Sequence, residues 1–252
     1  MGHKKLIRFE EITRFPNVLI HPEDMAGRWS SQFGQPVGEL TLELACGKGE
    51  YTLGLARMHP DRFFVGVDIK GNRIWKGART AMDENLRQVA FLRAQIDHID
   101  RYFSPGSIRE IWITFPDPFL RASKASKRLT HLRFLTLYQR ILKPGAPIHL
   151  KTDSAELYGF TKQVVHETGC VLELDIPDVY AEDGRGPELD IRTYYEGMHL
   201  QDGRTIRYLK FRLPEVLPAW RRTNRASQQE PEMPKQSAGS PSEETAGASI
   251  HA

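Results

Sequence analysis

The sequence predicts an α/β protein with a doubly wound, mostly parallel sheet of seven strands that includes a terminal antiparallel strand. From Glu39 onward, five β-rich runs alternate with amphipathic stretches, which is the pattern of βαβ units and parallel pairing. Two more strand-like runs follow, separated by a polar, glycine-containing loop. The crossover-linked strands and the terminal pair together predict one doubly wound domain.

The individual elements follow from the spacing of the apolar residues. The predicted strands cover residues 40–45, 63–69, 89–94, 110–115, 148–152, 170–176 and 205–213. Apolar side chains recur at helical spacing in residues 74–82, 132–142 and 157–165, so we expect helices there. Thr130 and Asp153 stand where the N-caps of the second and third of these helices are expected.

The composition is that of an ordinary globular chain. Of 252 residues, 40% are apolar and 27% are charged, which excludes a collagen-like, coiled-coil or wholly disordered chain. Cys46 and Cys170 stand apart, so they form no disulfide framework and no zinc-binding spacing, and we expect no metal. No run approaches the roughly 18 apolar residues of a membrane span. We therefore expect a cytoplasmic protein that does not bind a membrane.

Composition also divides the chain. Residues 1–35 give no clear pattern and are predicted to be an N-terminal extension, and residues 36–222 are predicted to be the catalytic domain. Residues 223–252 are rich in Ser, Gln, Glu, Pro and Ala and have too few large apolar groups to order themselves, so we expect a disordered tail. This tail is acidic, and the rest of the chain is therefore more basic than the overall charge of +3.

The first strand-to-helix junction has the residues of a ligand-binding loop. Gly47 and Gly49 let the backbone turn sharply and approach a ligand. A dinucleotide-binding fingerprint needs a third glycine where this chain has Thr52, which weakens a hydride-transfer interpretation. Asp68 suits a ribose diol and Glu43 an ammonium group, a pair that favours S-adenosylmethionine. A simple glycine turn with a capping carboxylate is the alternative.

The fourth predicted strand ends in an aspartate between two prolines, Pro116-Asp117-Pro118. Each proline fixes its own φ and restricts the residue before it, and α/β folds bind ligands at the carboxyl ends of their strands. The pattern therefore predicts a rigidly positioned carboxylate at a ligand site. The alternative is a proline-bounded turn in which Asp117 is only a cap.

A basic segment follows directly after Asp117. Residues 120–133 contain no acidic residue, and their cations are Arg121, Lys124, Lys127, Arg128 and Arg133. Most charged runs are solvated surfaces, but this one adjoins the predicted site. We therefore expect it to bind a phosphate backbone, in a mostly electrostatic and salt-dependent way.

At these residues the chain resembles the bacterial tRNA (guanine-N7)-methyltransferase family of class I, S-adenosylmethionine-dependent enzymes. The resemblance covers residues 39–213 and rests on the ordered combination Glu43-x-x-x-Gly47-Lys48-Gly49-Glu50, Phe115-Pro116-Asp117-Pro118, Lys127-Arg128-Leu129 and Thr193-x-x-Glu196. It implies a Rossmann-like class I methyltransferase fold and methylation of guanosine 46 in the variable loop of tRNA. It does not decide between a monomer and a homodimer.

The resemblance also implies roles for individual residues. Contacts to the methyl donor are implied for Glu43, Gly47, Gly49, Asp68, Gln95 and Asp117, with Asp117 also the catalytic residue. Substrate contacts are implied for Arg121, Asp153, Thr193, Tyr194, Tyr195 and Glu196. The chain departs from the family in four places: it has Asp68 for the usual Glu, Gln95 for an acidic residue, Phe119 for a frequent Trp and Arg121 for Lys.

The reaction can be argued from its chemistry. Guanine N7 has an in-plane lone pair, so no strong general base is needed, and a fixed carboxylate such as Asp117 would orient the base and offset its developing positive charge. Asp117 or Glu196 could accept hydrogen bonds from guanine N1 and N2 and so exclude adenine. Three alternatives stay open: an inactive RNA-binding module, a class I methyltransferase with a non-tRNA substrate and, least favoured, a nicotinamide oxidoreductase.

Overall fold

The computed structural model describes residues 3–220, and the predicted tail, residues 223–252, lies outside them. The strands in this part of the chain are β1 (Val18–Ile20), β2 (Leu40–Leu44), β3 (Phe63–Asp68), β4 (Val89–Arg93), β5 (Ile108–Thr114), β6 (Pro147–Thr152), β7 (Val171–Ile176) and β8 (Arg207–Arg212). The α-helices are α1 (His3–Glu11), α2 (Trp29–Phe33), α3 (Glu50–Met58), α4 (Gly71–Asp83), α5 (Leu132–Ile141), α6 (Ala155–Glu167) and α7 (Tyr194–Gln201). None of the helices described is long and apolar enough to cross a bilayer.

The strands form one mixed sheet in the order β1-β4-β3-β2-β5-β6-β8-β7. All pairs are parallel except those of β8, which runs antiparallel to both β6 and β7. The doubly wound, mostly parallel class with an antiparallel strand near one edge is therefore confirmed. The sheet has one more strand than predicted, because β1 in the unassigned segment 1–35 pairs with β4. The division into extension, catalytic domain and tail stays a prediction.

The strand order reverses between β2 and β5, and this reversal creates the ligand-binding edge. The chain builds β2, β3 and β4 on one side of β2 and then returns to place β5 on the other side. The loops after β2 and β5 consequently diverge and leave a crevice at the carboxyl ends of the strands. Side chains along β2 are all buried, as expected for a central parallel strand covered on both faces.

Both predicted N-caps are wrong by one residue. The cap of α5 is His131, whose side chain accepts a hydrogen bond from the helix, while the Thr130 hydroxyl bonds instead to a threonine of α6. The cap of α6 is Ser154. The carboxylate of Asp153 turns away from that helix and pairs with Arg204, 2.8 Å away, so a long-range ion pair displaces the local cap.

Candidate active site

A cavity of about 650 Å³ lies at the carboxyl edge of the sheet, a volume that suits a small-molecule ligand. It is bounded by the loops that follow β2, β3, β4 and β5 and by the start of α5. Three of the predicted donor contacts line it, namely Asp68, Gln95 and Asp117. Two cations of the basic segment, Lys127 and Arg133, line it as well. The topology thus brings together residues that are far apart in sequence.

Asp68 is held rigidly at the end of β3. One carboxylate oxygen accepts a hydrogen bond from the Gly47 backbone N–H at 3.0 Å, and the other accepts one from the Lys70 N–H at 2.8 Å. The side chain is only 6% exposed. Since a carboxylate oxygen can accept more than one hydrogen bond, Asp68 keeps capacity for hydroxyl groups of a ligand in the cavity.

Gly47 and Gly49 shape the loop between β2 and α3 in different ways. Both have a left-handed backbone, with φ of 57° and 68°. A Cβ on Gly47 would meet no atom within 4 Å, so open space lies above its backbone. A Cβ on Gly49 would come within 2.4 Å of the Phe91 ring, so close packing excludes a side chain there. Neither glycine lines the cavity, and their contact with the methyl donor stays a prediction.

Glu43 lies behind this loop and outside the cavity. Its carboxylate is fully enclosed and accepts hydrogen bonds from the Thr52 backbone N–H at 2.8 Å, the Thr52 hydroxyl and the Thr114 hydroxyl at 2.7 Å. Burial raises the pKa of Glu43 to about 7, although the hydrogen bonds from the two threonines oppose the shift. Glu43 therefore ties α3 and β5 to β2, and its predicted contact with an ammonium group stays a prediction.

The backbone beside the cavity is strained at three positions. Ala45, Phe115 and Phe119 line the cavity and have left-handed φ values of 58°, 49° and 44°. These are three of the six non-glycine residues with positive φ in residues 3–220. Each costs on the order of 1–2 kcal/mol, which the surrounding structure must offset. Strain of this kind is concentrated where the chain turns around the cavity.

Arg128 holds the loop that carries Asp117. It was predicted to bind the RNA backbone, but it is only 7% exposed, and the structure corrects that prediction. Its Nε donates to the Pro118 carbonyl at 3.0 Å and its Nη2 to the Phe119 carbonyl at 3.1 Å. The guanidinium also lies 4.4 Å from the centre of the Phe160 ring. Two N–H groups of one planar guanidinium thus bind two successive carbonyls and fix the loop.

Asp117 is the exposed carboxylate of this site. It lies between Pro116, which is buried, and Pro118. No side chain or backbone donor within residues 6–220 hydrogen-bonds to it. The carboxylate is thus fixed through its backbone while its oxygens are free for a ligand.

The basic segment forms a short 3-10 helix, Ala122–Lys127, at the mouth of the cavity. Arg121, Lys124 and Lys127 are exposed there. Arg133, in the first turn of α5, pairs with Asp97 and stacks on the Phe134 ring at 4.3 Å. Three cations of the segment are therefore available to a polyanion, and Arg133 is partly neutralised.

The predicted substrate residues 193–196 form the start of α7. Thr193 and Glu196 make a reciprocal capping box, and Glu196 is fully buried. Tyr194 and Tyr195 are 55% and 42% exposed, and Asp153 faces Arg204 in a separate group. The two tyrosines are therefore presented to solvent, whereas a substrate contact by Glu196 would require α7 to move.

Lys151 is a buried charged residue that the sequence analysis missed. Its Nζ lies 2.7 Å from the Glu196 carboxylate and donates to the Leu189 carbonyl at 2.8 Å and the Ile191 carbonyl at 3.1 Å. Burial lowers the pKa of Lys151, while the Glu196 carboxylate opposes the shift. A lysine inside the apolar run of β6 is the one available signal, because such a residue needs a buried partner.

The fold and this site define the class of protein. A family model described as "Putative methyltransferase" matches residues 38–208. A 16S rRNA methyltransferase, KamB, shares the fold with a TM-score of 0.56 and 15% identity, over 76% of this chain and 96% of that chain. A SAM-dependent methyltransferase from Aquifex aeolicus aligns with a TM-score of 0.50 and 14% identity, over 81% of this chain and 98% of that chain. The fold is the Rossmann-like fold of class I methyltransferases.

Relatives of known name narrow the class. The tRNA (guanine-N(7)-)-methyltransferase of Bacteroides thetaiotaomicron is 42% identical over 223 residues, covering 85% of this chain and 88% of that protein. The enzyme of the same name from Porphyromonas gingivalis is 43% identical over 212 residues, covering 82% and 86%. The chain belongs to the tRNA (guanine-N(7)-)-methyltransferase family.

Proposed function

We propose that the protein transfers a methyl group from S-adenosylmethionine to N7 of guanine 46 in the variable loop of tRNA. The observation that carries this proposal is the free carboxylate of Asp117. It stands in a cavity sized for a small molecule and directly before a basic segment whose cations are exposed. The sequence relatives named tRNA (guanine-N(7)-)-methyltransferase support the same activity.

The residues of the cavity fit the methyl donor. Asp68 offers carboxylate oxygens to ribose hydroxyls, and the amide of Gln95 can pair with an adenine edge. The open space above Gly47 lets a ligand approach the backbone. The bound donor supplies an electrophilic methyl group on a sulfonium. We infer that Asp68 and Gln95 orient it and that Glu43 acts from behind by holding the loop.

Asp117 would act on the guanine. N7 attacks through its own lone pair, so the residue need not remove a proton. A fixed carboxylate instead orients the base and offsets the positive charge that develops on the purine. Its oxygens also accept hydrogen bonds from guanine N1 and N2, which adenine does not offer in that pattern.

The exposed cations of the basic segment would bind the tRNA backbone. Lys127 lines the cavity, and Arg121 and Lys124 are exposed in the same segment. Phosphate contacts fix the register of a nucleic acid without reading its sequence. Tyr194 and Tyr195 offer aromatic rings on which an unstacked base of a loop can pack.

A methyl-transfer assay tests the proposal. Labelled S-adenosylmethionine is incubated with unmethylated tRNA and with a tRNA that carries adenosine at position 46, followed by nucleoside analysis. We expect 7-methylguanosine with the wild-type protein on the first tRNA only, and none with Asp117→Ala. Product of another kind, or equal product from both tRNAs, would contradict the proposed reaction or its position.

A further inference from the structure

A second cleft, of about 400 Å³, lies beside α3 and α4 and is separate from the cavity described above. The charged residues that line it are Lys48, Glu50, Arg57, Lys76 and Arg192. Lys48 belongs to the glycine loop after β2, and Arg192 belongs to the segment just before α7. The two sites share no lining residue.

The second cleft carries an excess of positive charge. Arg57 is neutralised, because its Nε and Nη2 donate to the Glu84 carboxylate at 2.8 and 2.7 Å. Lys48, Lys76 and Arg192 have no carboxylate within 4 Å among residues 6–220. Among residues 6–220, Glu50 is the only acid that lines the cleft, and it accepts a hydrogen bond from the start of α7. The cleft therefore suits a ligand with more than one negative charge.

Two of these cations are held in place. The Lys48 Nζ lies 3.8 Å from the centre of the Tyr194 ring. The Arg192 guanidinium lies 4.9 Å from the centre of the Tyr180 ring and donates through Nε to its hydroxyl at 3.2 Å. Because these two side chains are already held in position, they lose less conformational entropy when an anion binds.

The segment that carries Arg192 is fixed as well. A Cβ on Gly54 of α3 would come within 2.6 Å of Ile191, so the backbone of the helix and the Ile191 side chain are in close contact. On the sheet side, Lys151 of β6 pairs with Glu196 and donates to the Ile191 carbonyl, so it holds the same segment. Packing and hydrogen bonds therefore fix the backbone on this side of the cleft.

The second cleft and the cavity lie close to each other along the loop after β2. Ala45 lines the cavity and Lys48 lines the cleft, and three residues of chain span at most about 11 Å. The exposed rings of Tyr194 and Tyr195 lie next to Lys48, at 3.8 and 5.9 Å from its Nζ. Aromatic rings beside a cationic groove are the usual surface for unstacked nucleotides.

We propose that Lys48, Lys76 and Arg192 bind phosphate groups of the tRNA strand next to the methylated nucleotide. The proposal rests on the proposed function for the identity of the ligand. It assigns this strand a path from the cavity, across the two tyrosines, into the second cleft. Its phosphates would then be gripped on both sides of the target, by the basic segment after Asp117 and by the second cleft.

The test compares Lys76→Gln and Arg192→Gln with the wild type and with Lys143→Gln as a matched control. Lys143 lies after α5 at the opposite edge of the sheet and pairs there with Glu39, so its loss removes the same charge elsewhere. Binding of unmethylated tRNA is measured across a range of salt concentrations. We expect each cleft variant to lower the slope of log K against log salt by about 0.7 to 0.9, and the control to leave it unchanged.

Kinetics complete the test. We expect both cleft variants to raise KM for tRNA and to leave kcat and the affinity for S-adenosylmethionine unchanged. Slopes equal to those of the wild type, in a protein that still makes 7-methylguanosine, would overturn this proposal alone. Slopes that respond to the cleft in a protein that makes no 7-methylguanosine would support the cleft and overturn the proposed function. A wild type that binds no tRNA would overturn both.

Discussion

The two strands on either side of the reversal each have a carboxylate near their carboxyl end, Glu43 inside β2 and Asp117 after β5, and the two differ in burial and in hydrogen bonding. Glu43 is fully buried and accepts hydrogen bonds from three protein donors of Thr52 and Thr114. Asp117 is exposed, and no donor within residues 6–220 bonds to it. A carboxylate that accepts from several protein donors ties elements of the fold together, whereas a free one on a rigid backbone can act on a ligand.

The junctions after β2 and after β5 also differ in how their backbones are held. The first turns mainly through Gly47 and Gly49, which adopt left-handed φ at no steric cost. The second uses Phe115 and Phe119, which pay for the same conformation, and Arg128 fastens it through two carbonyls. The first junction also has one strained residue, Ala45, but two strained residues and the bonds from Arg128 surround Asp117, the carboxylate whose position matters for the chemistry.

The largest effect should come from Asp117→Asn. The amide keeps the size of the side chain but loses the charge that offsets the developing positive charge on guanine, so we expect kcat to fall by about 10²- to 10³-fold. The affinity for S-adenosylmethionine, measured by calorimetry, and the free energy of unfolding should stay near those of the wild type because the side chain is exposed. An equal loss of donor affinity would show that the cavity has collapsed.

Glu43→Gln should lower the stability of the protein rather than its turnover. Near pH 5 the protonated carboxyl has one O–H, whereas the amide has two N–H groups, and the additional N–H would face a protein donor. We therefore expect the free energy of unfolding at that pH to fall by about 1–3 kcal/mol in chemical denaturation. The residue makes no contact with the cavity, so kcat per folded molecule should change far less than in Asp117→Asn. A large loss of kcat in a fully folded Glu43→Gln protein would contradict this division of roles.

The stability cost of Glu43→Gln should also depend on pH. Because burial raises the pKa of Glu43 to about 7 from 4.5, the folded state binds the proton more tightly than the unfolded state does. The wild-type stability that this gives is present below about pH 4.5 and is lost as pH rises through about pH 7, by about 3 kcal/mol in all. The difference between wild type and Glu43→Gln should therefore shrink between about pH 5 and about pH 8. A constant difference would mean that Glu43 is ionised throughout.

The sheet was largely predictable from the sequence, because central parallel strands are continuous apolar runs. The runs in residues 40–45 and 63–69 differ from β2 and β3 by one residue each. β1 was missed since three residues cannot establish a period, and its pairing with β4 supplies the stability that its own sequence lacks. The caps failed for a related reason: Asp153 is drawn to Arg204, which is 51 residues away.

The candidate site was predictable only where it depends on the edge of the sheet. Asp68, Gln95 and Asp117 end different strands, and parallel strands bring their ends together. The roles of Arg128 and Lys151 in holding the site were not predicted from the sequence. Their partners are backbone carbonyls and a buried carboxylate that only the folded chain brings near.

Arg128→Lys should sharpen the comparison at the second junction. Lysine keeps the charge but cannot donate to the Pro118 and Phe119 carbonyls as a fork, so the loop should loosen and kcat should fall about tenfold. The salt dependence of tRNA binding should not change, because the guanidinium is buried. A shallower slope with unchanged kcat would restore the original interpretation of Arg128 as a phosphate contact.

The smallest effect should come from Lys127→Gln, the neighbour of Arg128 with the opposite exposure. Lys127 lines the mouth of the cavity and is exposed, so its loss should weaken tRNA binding a few-fold and lower the salt slope by about 0.7 to 0.9. Turnover at saturating tRNA should stay unchanged because Lys127 does not hold the Asp117 loop. The variants of these two adjacent residues would then have different effects: Arg128→Lys would lower kcat, and Lys127→Gln would lower the salt slope. If Lys127→Gln lowered kcat as Arg128→Lys does, Lys127 would also help to position the Asp117 loop. The proposed difference between a residue that positions the loop and a residue that binds phosphate would then be wrong for this pair.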